Sequence, residues 1–165
     1  RALKLKSAVK DLTWLRTTPK VDIRLEVVGT LAELMTPDEQ KRNFDLFAEA
    51  LYDMEPSIKK IAMEVISRIK GDPRVAPTLS ALVLDPDPAI KARALDALAD
   101  TGDPAAVEYI VQGLFDGDDA IKRAALESLR KLHSRQAEKP LQEFVRNEGS
   151  AELKRLAEEV LYSLP

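Results

Sequence analysis

The sequence predicts an all-α fold: a solenoid of about five stacked helix pairs. Three observations predict it. The stretch Asp85–Leu98, D-P-D-P-A-I-K-A-R-A-L-D-A-L, has a pattern that returns along the whole chain. Its I-K pair at Ile90 has counterparts at Ile23, Ile58, Ile121 and Leu153, at spacings of 35, 32, 31 and 32 residues. A fixed period in this range marks stacked supersecondary units, none of which buries its faces alone. Apolar residues also recur at steps of three and four in segment after segment, the period of one buried helical face, while no alternating pattern of useful length occurs. Finally, Thr-Pro and Gly-Asp-Pro punctuation ends one helix and starts the next.

Taken in order, residues 2–17 read as a first helix through Leu5, Ala8, Val9, Leu12 and Leu15. Thr18-Pro19 restarts the chain, with Thr as N-cap and Pro at the first helical position, and the second helix buries Ile23, Val27, Leu31 and Leu34. Thr36 and Glu39 have capping-box spacing and open a long third helix carrying Phe44, Phe47 and Leu51. Pro56 starts the fourth, with Ile58, Ala62, Ile66 and Ile69 on one face. Gly71-Asp72-Pro73 and Gly102-Asp103-Pro104 call for a left-handed glycine, an Asp cap and a first-position Pro. Helices are expected at about 73–84, 88–100, 104–115 and 119–132. Ser134 caps a ninth, with Pro140 near its start, and Ser150 caps a tenth that ends near Leu164. The repeats are 1–35, 36–70, 71–102, 103–133 and 134–165, in one domain.

Composition narrows the chemistry. The 45% apolar share is enough for a core, and the 32% charged share suits an elongated helical surface. Net charge is −3, so the whole chain is not a polyanion binder by charge alone, although residues 1–24 carry a local +5. Without cysteine there is no disulfide, thiolate site or Cys nucleophile, and one histidine argues against a zinc site. No apolar run approaches the ~18 residues of a membrane span. No signal-peptide pattern opens the chain, so a cytoplasmic setting is the default expectation. The first residue is Arg, which leaves room for a regulatory domain cut from a longer protein.

D-P-D-P-A-I-K, followed by A-L-x-A-L and G-D-P, resembles the HEAT repeat, above all the short bacterial and archaeal type named after phycobilisome lyases. The resemblance is strongest over 71–133 and weakest over 1–35. It implies a right-handed superhelix of the armadillo/HEAT type, with the second helix of each pair on the concave side. It also implies a ladder in which Arg24, Lys59, Lys91, Lys122 and Lys154 pair with an Asp of a neighbouring turn. The candidate partners are Asp53, Asp85 and Asp116. Asn147 stands in that place in the last repeat and no Asp aligns in the first, so the ladder is expected to weaken at both ends. Its pairs are expected to be of surface grade, worth roughly 0–1 kcal/mol each.

At ~100° per residue the second helices align in rows. Val27, Ala62, Ala94, Ala125 and Ala157 face their own partner helices. Val28, Met63, Leu95, Leu126 and Glu158 face the next repeat, and the charge at Glu158 suits a terminal cap. The opposite flank reads Glu26, Ile61, Arg93, Ala124, Leu156, where Arg93 spoils the pattern. The concave surface carries Leu25, Lys60, Ala92, Arg123 and Arg155, beside Gly29, Glu64, Asp96, Glu127 and Glu159. Ala32 extends an apolar start at Leu25 and Gly29. Lys60–Glu64, Arg123–Glu127 and Arg155–Glu159 are spaced to pair along a helix.

Sharper motifs have plainer explanations. His133 ends a helix without a nucleophile beside it, and Trp14 suits core or edge packing. The basic set Arg1, Lys4, Lys6, Lys10, Arg16 and Lys20 reads as a solvated face. Asp85/Asp87 and Asp116/Asp118 have capping or ladder roles rather than the ligand count of a calcium site. The expectation is a non-enzymatic protein–protein scaffold or adaptor, without cofactor or metal. It binds another protein on the concave surface through Leu25, Gly29, Ala32, Lys60, Glu64, Asp96, Arg123, Glu127 and Arg155, and is monomeric unless part of a larger chain. The alternatives are a bilin lyase or isomerase subunit acting with a partner chain, which the missing Cys disfavours, and a nucleic-acid-binding or base-excision solenoid. The mixed charge and sparse aromatics argue against the latter.

Overall fold

The computed structural model describes residues 17–165. The first predicted helix, Trp14, and the basic residues Arg1, Lys4, Lys6, Lys10 and Arg16 lie outside those residues. The chain divides into two compact units, with the boundary between Asp72 and Pro73. Among the described residues all regular structure is helical.

In the first unit, α1 spans Val21–Leu34, α2 Pro37–Arg42, α3 Phe44–Ala50 and α4 Pro56–Ser67. Helix α1 starts later than Thr18-Pro19 suggests. Its N-cap is Lys20, without a side-chain bond, and the Thr18 carbonyl accepts from Arg24 Nη1 at 2.9 Å. The Thr36–Glu39 capping box forms as predicted. The long third helix is in fact two, broken at Asn43, whose Nδ2 donates to the Glu39 carbonyl at 2.7 Å. A short amide side chain bonding its own backbone competes with the helical ladder in this way. The buried Gln40 donates from Nε2 to the carbonyls of Ala32 and Met35, satisfying the open end of α1. Phe44, Phe47 and Leu51, and then Ile58, Ala62, Ile66 and Ile69, are all buried.

In the second unit, α5 spans Val75–Ser80 and tightens into a 3-10 turn over Ala81–Leu84. Helix α6 spans Pro88–Asp100. Helix α7, Val107–Ile110, is flanked by 3-10 turns at Pro104–Ala106 and Val111–Phe115. Helices α8 (Asp119–Leu132), α9 (Glu138–Asn147) and α10 (Ala151–Ser163) follow. Asp87, Asp103, Asp118, Ser134 and Ser150 each cap a following backbone amide. Gly71 and Gly102 are left-handed, with φ of 65° and 68°. His133 takes the same conformation one repeat later, at φ 52°. It is exposed, as expected of a residue at a helix end. It closes α8, and its Nε2–H donates to the Ser163 carbonyl at 2.7 Å.

Gly113 verifies the row reading. A Cβ placed there would lie 3.0 Å from Ala125 Cβ and 3.0 Å from Leu95 Cδ1. Ala125 therefore faces the first helix of its own pair, and Leu95 faces the next repeat. Val27, Ala62, Ala94, Ala125 and Ala157 are all buried, as are Val28, Met63, Leu95 and Leu126, while Glu158 is exposed. Each large apolar side chain so buried contributes about 1.5–3 kcal/mol.

Candidate functional site: the second-helix surface and its charge ladder

The ladder is built at the turn inside each helix pair. Asp53 Oδ1 accepts from the Glu55 amide at 2.8 Å, Asp85 Oδ1 from Asp87 at 2.9 Å, and Asp116 Oδ1 from Asp118 at 2.9 Å. An acid bonding the amide two residues on forms a side-chain-closed turn and fixes its own carboxylate. That carboxylate then receives a cation from the preceding repeat. Arg24 grips Asp53 through Nε at 2.7 Å and Nη2 at 2.8 Å, and Lys91 Nζ reaches Asp116 at 2.6 Å.

Two expectations about the ladder are corrected. It does not fade at Asn147, which is exposed. Helix α9 ends at Asn147, and Glu148 follows it in the same register as the other ladder acids, five residues before Leu153 as Asp85 and Asp116 are before Ile90 and Ile121. Glu148 Oε1 accepts from the Ser150 amide at 2.9 Å, and its Oε2 from Lys122 at 3.0 Å. Nor is the Arg24 end weak. Its two side chains are each only 13% exposed and meet through two parallel bonds, so it is not a surface-grade pair. The Lys91–Asp116 and Lys122–Glu148 pairs are also largely covered. Lys59 is half-buried on α4 and Asp85 is buried. Lys154, half-buried on α10, forms no ion pair among the described residues.

The protonation equilibria follow the geometry. Bonding to Arg24 holds Asp53 below its ordinary pKa against the cost of burial, and raises Arg24. Lys91 lowers Asp116. The Ser150 amide, then Lys122, lower Glu148, while Glu148 raises Lys122.

On the second-helix surface the predicted side chains are present but mostly paired otherwise than predicted. Arg155–Glu159 forms along α10 at 3.2 Å. Glu64 pairs with Arg68 rather than Lys60, because the basic partner one turn later is equally well spaced. Arg123 reaches across to Glu152 at 2.8 Å, and Glu127 turns to Arg130. Asp96 joins a closed ring of alternating charge. Arg93 contacts Asp96 at 2.5 Å and Asp100 at 3.6 Å, and Lys131 contacts the same two acids at 2.5 and 2.7 Å. Burial alone pulls the Lys131 pKa down, but the bonds from Asp100 and Asp96 outweigh it and hold Lys131 above its ordinary value. Sequence reasoning dismissed Arg93 as a flaw in a row and missed Lys131 and Asp100. The legible signal was the i, i+3, i+7 spacing of Arg93, Asp96 and Asp100.

This ring borders a cleft of about 450 Å³ between α6 and α8, whose walls include Ala92, Asp96, Ala124, Glu127 and Ser128. In the first unit, by contrast, Leu25, Gly29 and Ala32 are half-buried on α1, and Lys60 is exposed on α4. Gly29 faces Ile61 of α4, with room for a Cβ at 3.9 Å.

The repeated turn acid, the following cation-bearing helix and the small-residue row together define one repeating unit. The HEAT-repeat family model matches residues 44–114 and 79–162. The chain belongs to the HEAT-repeat family. No curated protein matches it. Among solved structures, this HEAT-repeat chain is similar to the complex of CpcE and CpcF of phycocyanin lyase from Nostoc sp. PCC7120. The identity is 17% and the TM-score 0.64, over 93% of this chain and 63% of that one. It is similar to a designed armadillo repeat protein in complex with a (KR)4 peptide, at 14% identity and TM-score 0.60, over 98% and 85%. It is also similar to Cex1p, at 14% identity and TM-score 0.67, over 92% and 34%. The chain thus spans less than two thirds of the CpcE/CpcF chain and about a third of Cex1p. These likenesses carry the fold, an α-solenoid of repeats. Among the described residues no helix is long and apolar enough to cross a membrane.

Proposed function

We infer that this HEAT-repeat chain is a non-enzymatic scaffold that binds another protein on its second-helix surface, with Leu25, Gly29, Ala32 and Lys60 as the primary contact. One contrast carries the reading. On α6, α8 and α10 the predicted contact residues Asp96, Arg123, Glu127 and Arg155 are each held by an intramolecular ion pair. A partner that uses these side chains exchanges one solvent-exposed ion pair for another, so the net gain is small. On α1 the contact residues are apolar and half-exposed, and Lys60 on α4 holds no ion pair among the described residues. An apolar side chain against Leu25 and Gly29, with a carboxylate toward Lys60, gains both burial and charge complementarity.

Support for a protein partner is the mixed sign of the surface, which a nucleic-acid groove would not show. The solved relatives include a complex between two chains and a complex with a peptide, and the reading extends that mode of use to this chain. The test is a pull-down from native lysate with three baits: the intact chain, Leu25→Glu/Lys60→Glu, and Arg123→Glu. A protein retained by the first and third and lost by the second is the expected result. Equal retention by all three, or retention of nucleic acid instead, rejects this surface.

A further inference from the structure

The turns that carry the ladder acids also carry an unexplained feature. Leu84 and Phe115 are the last residues of the 3-10 turns Ala81–Leu84 and Val111–Phe115, and each directly precedes a ladder acid, Asp85 or Asp116. Leu84 is 76% exposed and Phe115 67% exposed, although Val83 and Leu114 just before them are buried. In the first unit, Tyr52 holds the same place before Asp53 and is 68% exposed. A single exposed apolar residue needs no explanation. The same register position filled by a large apolar side chain in successive repeats does.

The fold does not demand it. In the last repeat the place before the ladder acid is Asn147, exposed, and the turn there is intact. Glu148 still closes on the Ser150 amide and still receives Lys122. Leu84 and Phe115 lie on neighbouring turns, because Lys91, at the start of the helix after the Asp85 turn, bonds Asp116 beside Phe115 at 2.6 Å. The charge around them is acidic. Asp87 and Asp118 cap Ala89 and Ala120 as carboxylates, and Asp119 is 65% exposed, with Lys122 at 3.3 Å. The cations of these turns are committed inward, Lys91 to Asp116 and Lys122 chiefly to Glu148.

We propose that this turn edge is a second docking surface, separate from the second-helix surface, for a protein segment whose apolar side chains alternate with lysine or arginine. Leu84 and Phe115 supply the apolar contacts, and Asp87, Asp118 and Asp119 the complementary charge. Leu84 and Phe115, both exposed and at equivalent places on neighbouring turns, are the apolar pair this edge offers a partner. The acidic surround selects a basic protein segment and repels an anionic one or an anionic lipid surface.

The experiment is fluorescence anisotropy of the full chain with two labelled peptides, one of alternating leucine and lysine and one of alternating leucine and glutamate. The variant is Leu84→Asn/Phe115→Asn, which copies the residue the fold already carries at Asn147. Its thermal unfolding, followed by circular dichroism, is expected to match the unsubstituted chain. The expected result is binding of the lysine peptide alone, weakened about tenfold or more by the double substitution and weakened further by salt. Equal binding by the variant, equal binding of the glutamate peptide, or no binding of the lysine peptide overturns the proposal. So does binding to neutral phosphatidylcholine vesicles that the same substitutions abolish, since that would make the edge a lipid contact. The second-helix reading is untouched by any of these outcomes.

Discussion

The two units treat the same kind of surface in opposite ways. On α1 and α4 the second-helix surface presents Leu25, Gly29, Ala32 and an exposed Lys60, beside the Glu64–Arg68 pair. On α6 and α8 it is crossed by a closed ring of Arg93, Asp96, Asp100 and Lys131, with Arg123 tied to Glu152. A self-paired surface is soluble and holds its own repeats in register, but a partner gains little there. An apolar, half-covered surface has energy left to give. Counting charges along a row does not separate these cases; knowing where each charge ends does.

Several substitutions would break or sharpen this comparison. The largest effect belongs to Leu95→Asp. Leu95 is fully buried against Gly113, and a charge there is expected to cost about 4–5 kcal/mol and to unfold the second unit. Urea denaturation reads this directly, and an unchanged midpoint would mean that Leu95 does not seal two repeats together.

The ladder comes next. Arg24→Ala leaves Asp53 largely covered and held in the turn by the Glu55 amide, and should cost about 2 kcal/mol, whereas Lys91→Ala should cost about 1. The reverse order, measured by the same denaturation, would contradict the ranking by burial and bidentate geometry.

Acid should expose the same groups. The folded pKa values of Asp53, Asp116 and Glu148 are lowered. Their stabilisation is complete above the ordinary carboxylate pKa near 4 and is lost as pH falls through the lowered values. Thermal midpoints should therefore hold from about pH 6 to 5 and drop below about pH 4. In Arg24→Ala the drop should be shallower.

The two buried or half-buried helical glycines should answer with opposite sign. Gly113→Ala meets Ala125 and Leu95 at 3.0 Å. Overpacking of about 1–3 kcal/mol exceeds the gain in helix propensity, for a net loss of about 1 kcal/mol. Gly29→Ala has space at 3.9 Å and should stabilise by about 0.5–1 kcal/mol. Smallest of all is Glu158→Leu, at an exposed position, which should change stability by less than about 0.5 kcal/mol.

Much of the fold was legible because repeats over-determine it. The period, the caps at Thr36, Asp87, Asp103, Asp118, Ser134 and Ser150, and the inward alanine row all follow from local chemistry repeated in register. What escaped was decided by contacts between repeats or by short-range competition. Asn43 broke a helix through its own amide. Glu148, not Asn147, is the ladder acid, because it stands five residues before Leu153 as Asp53, Asp85 and Asp116 stand five before Ile58, Ile90 and Ile121. The predicted Lys60–Glu64 and Arg123–Glu127 pairs lost to Arg68, Glu152 and Arg130, since several partners stand within reach and spacing alone does not rank them. Gly113 and His133 had no one-dimensional signal beyond their place in the period. Gly113 is small because two repeats meet there, and His133 stands where Gly71 and Gly102 stand, in the left-handed conformation.

The most direct test is amide hydrogen exchange of the full chain, with and without the protein captured by the intact bait. New protection is predicted over α1 and α4, residues 21–34 and 56–67, with α6 and α8 unchanged. Protection confined to residues 88–100 and 119–132 would contradict the account, because it would place the partner on the surface whose charges are already satisfied.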